Sequence, residues 1–489
     1  MNPTTAERAA QAVSPTEGDV SRNVATASGE TSGRDLGAVE PRLGPIARIR
    51  RLRHEEERMT AVRDSWRALW SSRLLVWVAG VGTILAFGFG PARGAFDPPG
   101  VTRGFGGLGD LLAAPAARWD SAWYLVIAHY GYRPDLGSFT ASRDAFFPLY
   151  PSALKALAWV GVPPILAGVL ISLLALSLAL YGIHRLTTLE LGRRGLETGA
   201  AGGKAEAARV AVMLSAFAPM AFFLSAVYSE ALYLALSVGL FWSARHGRWA
   251  LVGLLGGLAA VTRSAGIVLV LPALMLYLYG PREDRKADFT RLGRARMLPR
   301  YRLRADAAWL WLAPAGVVAF GVGLALGGGE VLAPFHAQGV WGRHFAGPYV
   351  GLWDGAKAAF EGVRQLLSFQ RARVYFPAAS GSPTVAASHN VVLFAFLAAA
   401  VPMFIAALRR LPLAYGIYAI AALALPLSYP VAGQPLMSLP RFLVVLFPLS
   451  IATAAWLVEH PRLTRPVLAG SGVLMAVFLA QFATWHWVA

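Results

Sequence analysis

The residues in this sequence best suited to chemistry lie between Arg118 and Pro151. The stretch reads RWDSAWYLVIAHYGYRP, and RDAFFPLYP follows a few residues later. One carboxylate, Asp120, stands there among Trp119, Trp123, Tyr124 and Tyr132. Trp119, Trp123, Tyr124 and Ile127 recur at helical spacing, which predicts a short interfacial helix from about Ser121 to Tyr130, ended by Gly131. Asp120 then has two compatible roles. As the residue before the helix it is a good N-cap, with Trp119 and Tyr124 forming a hydrophobic staple. As a partly desolvated carboxylate among aromatic rings it is also suited to take a proton from a hydroxyl group.

Four more polar residues fall at or near apolar runs. Glu230, in AVYSEALY, sits at a turn between two such runs. Arg263, in AVTRSAG, interrupts another, and Arg441, in PLMSLPRFLVVLFP, opens one. A charge at bilayer depth costs at least about 2.5–3.5 kcal/mol, so each is a functional suspect. Arg263 could pair with Glu230 as structural glue, and Arg441 could snorkel to headgroups. Alternatively, both cations bind a lipid phosphate, which an arginine fork suits. Pro440 places Arg441 in the first turn of a helix, where free N–H groups also favour an anion. His129, on the expected interfacial helix, could hydrogen-bond a phosphate or a sugar, though a structural role is the plainer reading. The nine histidines show no HxxxH or HExxH spacing, there is no cysteine, and no DxD, P-loop or dinucleotide fingerprint is present. Thiol chemistry and disulfides are therefore excluded, and neither a metal nor a nucleotide-bound cofactor is expected.

The elements that must carry these residues are membrane helices. Of 489 residues, 56% are hydrophobic and 15% charged, against about a quarter charged in soluble chains. Runs near the roughly 20 residues needed for a crossing occur at 74–92, 163–184, 208–227, 231–245, 249–263, 265–280, 307–326, 391–408, 411–429, 441–458 and 465–486. The expected architecture is an all-α polytopic membrane protein of about 11 helices. The pairs 208–245 and 249–280 read either as hairpins or as broken helices. The 45 Lys+Arg against 27 Asp+Glu give a charge of +18. With the N-terminus inside, the loops 185–207, 245–248, 281–306, 409–410 and 459–464 all carry arginine, as the positive-inside rule requires. The long aromatic loops 93–162 and 327–390 then lie outside, where function is expected. No nucleic-acid-reading motif accompanies the charge, so a nucleic-acid partner is not expected. Residues 1–72 form a separate region: low in apolar periodicity up to about 40, then basic from Arg42 to Arg73, suiting a helix on the inner membrane surface ahead of a signal anchor. Residues 73–489 form the membrane domain. The Arg- and Ala-rich usage suggests a prokaryotic plasma membrane.

Taken together, RWDSAWYLVIAHYGY, AFFPLYP, YSEAL, TRSAG and PLMSLPRFLVVLFP resemble the PIG-V-like family, related to GPI mannosyltransferase II among the GT-C multi-spanning glycosyltransferases. The resemblance covers about 74–450. It implies an inverting transfer of mannose from a polyprenyl-phosphate donor to a glycolipid or lipid-linked glycan on the outer membrane face. Asp120 would be the base, and Arg441, Arg263 and His129 the candidates for the donor phosphate. Trp119, Trp123, Tyr124, Tyr132, Asp144 and Glu230 would contact substrate, Asp144 being the nearby second acid that such loops often hold. The resemblance requires no metal. A flippase of lipid-linked sugars and a non-catalytic envelope-assembly subunit are the alternatives; the sequence shows no internal repeat of the kind transporters carry.

Overall fold

The computed structural model describes residues 45–91, 97–98, 100–132, 143–192, 203–285, 298–370, 372, 374–375 and 382–488, with side chains from Glu55 onward. The expected disordered tail over 1–40 lies outside the described residues, as do Arg193, Arg194 and 286–297 in the basic loops. The chain divides into two compact units, Met1–His54 and Glu55–Ala489, and the account below concerns the second.

Every apolar run folds as helix. In chain order the principal helices are α1 (Pro45–Phe87), α2 (Ser121–Tyr130), α3 (Leu149–Trp159), α4 (Pro164–Gly192), α5 (Gly203–Phe217), α6 (Glu230–Arg245), α7 (Trp249–Ala260) and α8 (Val270–Tyr279). They continue with α9 (Leu312–Leu326), α10 (Pro348–Leu367), α11 (Pro383–Arg410), α12 (Leu413–Leu427), α13 (Leu439–Leu443), α14 (Phe447–Glu459) and α15 (Pro461–Ala483). Among the described residues, five helical segments are long and apolar enough to cross a membrane: Glu55–Phe87, Pro164–Gly192, Ala305–Leu326, Pro383–Arg410 and Pro461–Ala483. Shorter apolar helices, such as α7, α12 and α14, fill the space between them. On α4 the leucines at 166, 170, 174 and 178 recur every fourth residue and are all exposed. Such a stripe would be a liability in water and is the expected lipid-facing side of a membrane helix.

Small residues bring the helices together. The α7 glycines meet the neighbouring helical segment directly: a Cβ on Gly253 would lie 2.2 Å from the Trp309 carbonyl oxygen, and Gly257 faces the Leu312 carbonyl. A Cβ on Gly182 of α4 would lie 2.4 Å from Val238 of α6. Close backbone approach is how membrane helices gain packing when lipid is as apolar as their own side chains.

Three helical pairs are broken at the same end of the bundle. The chain leaves α5 at Phe217, passes through a 3₁₀ turn at Ala221–Leu224 and re-enters helix at Glu230. It leaves α7 at Ala260, turns extended at Arg263 and continues by a 3₁₀ segment, Ser264–Leu269, into α8. It leaves α12 at Leu427 and reaches α14 only after α13. The 208–245 and 249–280 pairs are thus hairpins that turn at this end: Arg245, closing α6, pairs with Glu190 of α4 and donates to the Pro281 carbonyl just beyond α8. The 441–458 run splits, with Arg441 in α13 apart from α14. Irregular backbone in an apolar protein needs internal partners. Arg73 donates 2.8 Å hydrogen bonds to the carbonyls of Ala216 and Ala221 and to Ser225 Oγ. Ser172 Oγ donates to the Ala226 carbonyl at 2.8 Å, and the Leu149 N–H reaches the Val261 carbonyl at 2.9 Å.

Two expected helices are packed against protein here. Over Glu55–Phe87 the basic flank is helix, with Asp64, Ala68, Leu69 and Arg73 buried and Met59, Trp66 and Trp70 exposed. Helix α2 matches the expected bounds, and Gly131 ends it at φ 75°. Every residue from Ser121 to Ala128 is buried in protein, because Tyr124 packs edge-on against Phe146 and Tyr150 at 5.1 Å.

Candidate functional site

The breaks in the three helical pairs and the start of α2 converge on a chain of alternating charges. Asp120 Oδ2 accepts a 2.7 Å bond from Arg441 Nη1. Arg441 Nε lies 3.2 Å from Glu230 Oε1, and the same oxygen lies 2.5 Å from Arg263 Nη1. The order Asp120–Arg441–Glu230–Arg263 thus links four elements far apart in sequence. Glu230 opens α6, where a negative charge suits the helix dipole, and only 1% of its side chain is exposed. Arg441 is 11% exposed and ringed by Phe223, Tyr228, Phe442 and Trp487, each centroid 5.6–5.9 Å from its guanidinium carbon.

The backbone is bent to make this meeting. Among the described residues, Trp119 (φ 56°), Phe369, Ser438 (φ 72°) and Trp485 (φ 64°) are the non-glycine residues with positive φ. Trp119 precedes Asp120, Ser438 precedes α13, and Trp485 packs edge-on against Trp119 at 5.6 Å. Left-handed conformations cost about 1–3 kcal/mol each and persist where surrounding structure dictates them, commonly at functional sites.

The capping expectation for Asp120 is corrected. Its backbone is already helical (φ −60°, ψ −15°) and its side chain makes no cap bond; the carboxylate is turned to Arg441. Trp119 packs edge-on against Trp485 and Trp487. Arg441 is no snorkelling anchor, being buried among carboxylates and rings. Its helix, α13, has only five residues, so the expected helix-terminus anion site carries no weight. Arg263 pairs with Glu230, as the structural alternative anticipated, and also lines the cavity described next.

A cavity of about 150 Å³ opens on this chain, lined by Asp120, Tyr124, Phe146, Arg263, Gln338, Trp341, Arg343, Ser438, Arg441, Phe442 and Trp487. A second chamber, of about 110 Å³, shares Arg263, Gln338, Arg343 and Phe442 with it and continues along Phe335, Leu425, Val445 and Leu446. Arg343 is the residue the sequence did not single out. It comes from the long loop after α9 and meets Val431 in an isolated antiparallel bridge. Its Nη2 donates to the Met437 carbonyl at 3.2 Å and its Nη1 to the Tyr429 carbonyl at 3.4 Å. Burial and the positive charge of Arg441 pull its pKa down to about 10, with Asp120 acting in the opposite sense. Two carboxylates therefore face three guanidinium groups, leaving one positive charge in excess for an anion.

The other expected site residues divide. Tyr124 lines the cavity and its hydroxyl pairs with Ser229 Oγ at 2.8 Å. Trp123 is buried and stacks on Phe146 at 6.0 Å, one layer behind the cavity wall. Tyr132 donates to the Phe146 carbonyl at 2.5 Å and packs on Phe320, a structural post. Asp144 is half-buried, and burial raises its pKa, but Ala145 and Phe146 rather than Asp144 reach the cavity. His129 does not join the site: it is exposed near the far end of α2 and sits edge-on to Tyr130 at 4.4 Å. Arg343, Gln338 and Trp341 carry no motif, and their loop was marked only by aromatic richness; Trp487 falls just past the last apolar run, where nothing marked it. Among the described residues, no group of three or more His, Cys, Asp or Glu is placed to hold a metal.

An all-helical scaffold with long apolar helices, carrying a buried ion chain beside a small cavity, defines a membrane protein with an enclosed polar centre. Residues 108–279 match the family model described as Mannosyltransferase (PIG-V). That segment is PIG-V-like and supports a glycosyltransferase; it holds Asp120, Glu230 and Arg263, while Arg343 and Arg441 lie beyond it. No curated protein and no solved structure matches the chain significantly.

Proposed function

We propose that the protein is an inverting membrane glycosyltransferase that moves mannose from a polyprenyl-phosphate-mannose donor to a glycolipid or lipid-linked glycan on the extracytoplasmic face. The observation that carries this reading is the cavity lined together by Asp120 and the cations Arg441, Arg263 and Arg343. The donor's phosphodiester brings the negative charge that the cluster lacks. At about 4 Å and an effective dielectric of 20, one such charge pair is worth about 4 kcal/mol before desolvation. Among the described residues Arg343 donates to the backbone carbonyls of Tyr429 and Met437 and to no carboxylate, so it can turn to the phosphate without breaking an ion pair. The apolar chamber behind it suits the first isoprene units of the donor.

Asp120 takes the proton from the acceptor hydroxyl as that oxygen bonds to the anomeric carbon. The bond from the anomeric carbon to the phosphate oxygen breaks on the opposite face, and polyprenyl phosphate departs with its electron pair. Arg343 and Arg441 stabilise the charge that develops there. Asp120 then releases its proton to water. Arg441 fixes Asp120 in place, and Glu230 in turn holds Arg441.

Purified protein incubated with radiolabelled polyprenyl-phosphate mannose and a lipid extract should yield a labelled glycolipid, and should do so in excess chelator. Transfer from GDP-mannose with no lipid carrier present would refute the proposal.

A further inference from the structure

The largest cavity among those described is not the ion-paired one. It measures about 760 Å³, five times the cavity at Asp120, and lies among the ends of α1, α11 and α15 and the loop before α13. A volume of 300–1,000 Å³ is the range in which proteins enclose substantial ligands. Its lining is layered. His389, Gln434, Gln481 and His486 contribute polar groups at one level. Val392 and Leu393, three and four residues further into α11, and Phe478, three residues back into α15, contribute apolar walls. At 1.5 Å per residue the two levels are about 5 Å apart. This is the order a polar head followed by an apolar tail would meet.

Trp487 connects this cavity to the chemistry. It lines both the large cavity and the small one, and its ring lies 5.9 Å from the Arg441 guanidinium carbon and 5.4 Å from the Trp119 ring. Its indole N–H is buried and has no hydrogen-bond partner among the described residues, an arrangement that costs about 1–3 kcal/mol unless something accepts from it. A hydroxyl reaching past Trp487 toward Asp120 would be such an acceptor.

We infer that the large cavity is the acceptor site: it takes an amphiphile with a hydroxyl-rich glycan head and an apolar tail, and Trp487 hands the reacting hydroxyl to Asp120. Donor and acceptor then approach from opposite sides, the donor past Arg343 and the acceptor past Trp487. The inference rests on the proposed transfer for its chemistry, but occupancy of the cavity does not need turnover and is tested apart from it.

The probe is an alkyl mannoside carrying a diazirine in its chain, photolysed with the full-length protein in lipid nanodiscs and mapped by peptide mass spectrometry. Adducts are expected on 388–393 and 478–488, undiminished by excess polyprenyl phosphate. Leu393→Trp, which fills the apolar level, should cut that labelling at least five-fold. In the transfer assay it should raise the acceptor KM ten-fold or more against a donor KM changed less than two-fold. Gln434→Leu, a near-isosteric loop change that spares the helices, should raise the acceptor KM in the same selective way, and it keeps the test decisive should the tryptophan variant fold poorly. Adducts spread evenly over the lipid-facing helices, or labelling and acceptor KM unmoved in Gln434→Leu, would overturn the inference while leaving the transferase reading intact. Labelling of the cavity with no transfer from any donor would overturn the transferase reading instead.

Discussion

At the scale of single residues, the ion chain decides what each substitution should do. Asp120→Asn keeps the shape and one hydrogen-bond acceptor for Arg441 but loses the basic carboxylate. General-base groups typically contribute 10²–10⁴-fold, so turnover should fall by that order. Stability should fall as well, by about 1–3 kcal/mol, because a charge-assisted bond to Arg441 is replaced by a neutral one. Activity assays alongside thermal unfolding check both effects; an Asn variant with full activity would leave Asp120 a purely structural partner of Arg441. Arg441 bridges two carboxylates through different nitrogens, Nη1 and Nε, which a single ammonium cannot reproduce. Arg441→Lys should therefore lose at least ten-fold in kcat. Arg343 differs in kind. Among the described residues it holds no carboxylate, so Arg343→Gln should cost thermal stability only its two bonds to backbone carbonyls, about 1–3 kcal/mol together. It should instead raise the donor KM, by the ten-fold or more that a lost charge-assisted contact represents. Asp120, Glu230, Arg263 and Arg441 were legible in the sequence because a charge in an apolar run stands out. Arg343 was not, because a lone arginine in a polar loop resembles any solvated cation, and nothing local reports the Val431 bridge that carries it inward.

The helices show why the sequence placed charges correctly but misjudged their surroundings. Hydropathy reports where a chain is apolar, and the helices of the structure follow those runs closely. It does not report whether an apolar helix faces lipid, protein or an interface. Helix α2 is aromatic for the sake of Phe146 and Tyr150 rather than of a headgroup layer. Breaks are equally hidden, since Arg263 marks one but the 3₁₀ turn at Ala221–Leu224 and the isolated α13 have no hydropathic signature. The joint at Arg263 depends on Gly266. A Cβ there would lie 2.2 Å from the Ala259 carbonyl carbon and oxygen, and backbone cannot yield as a flexible side chain would. Gly266→Ala must open the angle between α7 and the 3₁₀ segment, drawing Arg263 away from Glu230. The expected result is a loss of activity of ten-fold or more even in detergent-stable protein, with Gly256→Ala as the comparison. That α7 site has ordinary 3.5 Å contacts, and the substitution should be tolerated.

For the whole molecule, the question is which face of the membrane the site occupies, and the two ends of the bundle differ in their charges. One end holds Asp120, Glu230, Arg263, Arg343, Arg441 and Trp487. The other holds Arg245, fully buried and paired with Glu190 and Glu283, together with the Arg282–Asp284 and Arg410–Glu459 pairs. Helix α6 runs from the first end at Glu230 to the second at Arg245, and α7 returns to Arg263. Arg248, Arg285, Arg409 and Arg462 add further positive charge at the second end, whereas Arg118 and Arg143 lie toward the first. Positive charge flanking apolar helices is retained on the cytoplasmic side, so the site end should face outward. The absence of cysteine from the whole chain makes this testable without first removing any native thiol. His344→Cys, exposed beside Arg343, should react with a membrane-impermeant maleimide in intact cells. Arg462→Cys, exposed at the start of α15, should react only after the membrane is opened. Reversed labelling would turn the site toward the cytoplasm, where nucleotide sugars are made, and would remove the reason for a lipid-carried donor. Labelling of both positions in intact cells would mean that the chain crosses the bilayer an even number of times between them, so that α11, whose end at Arg410 pairs with Glu459 of α14, would not span it.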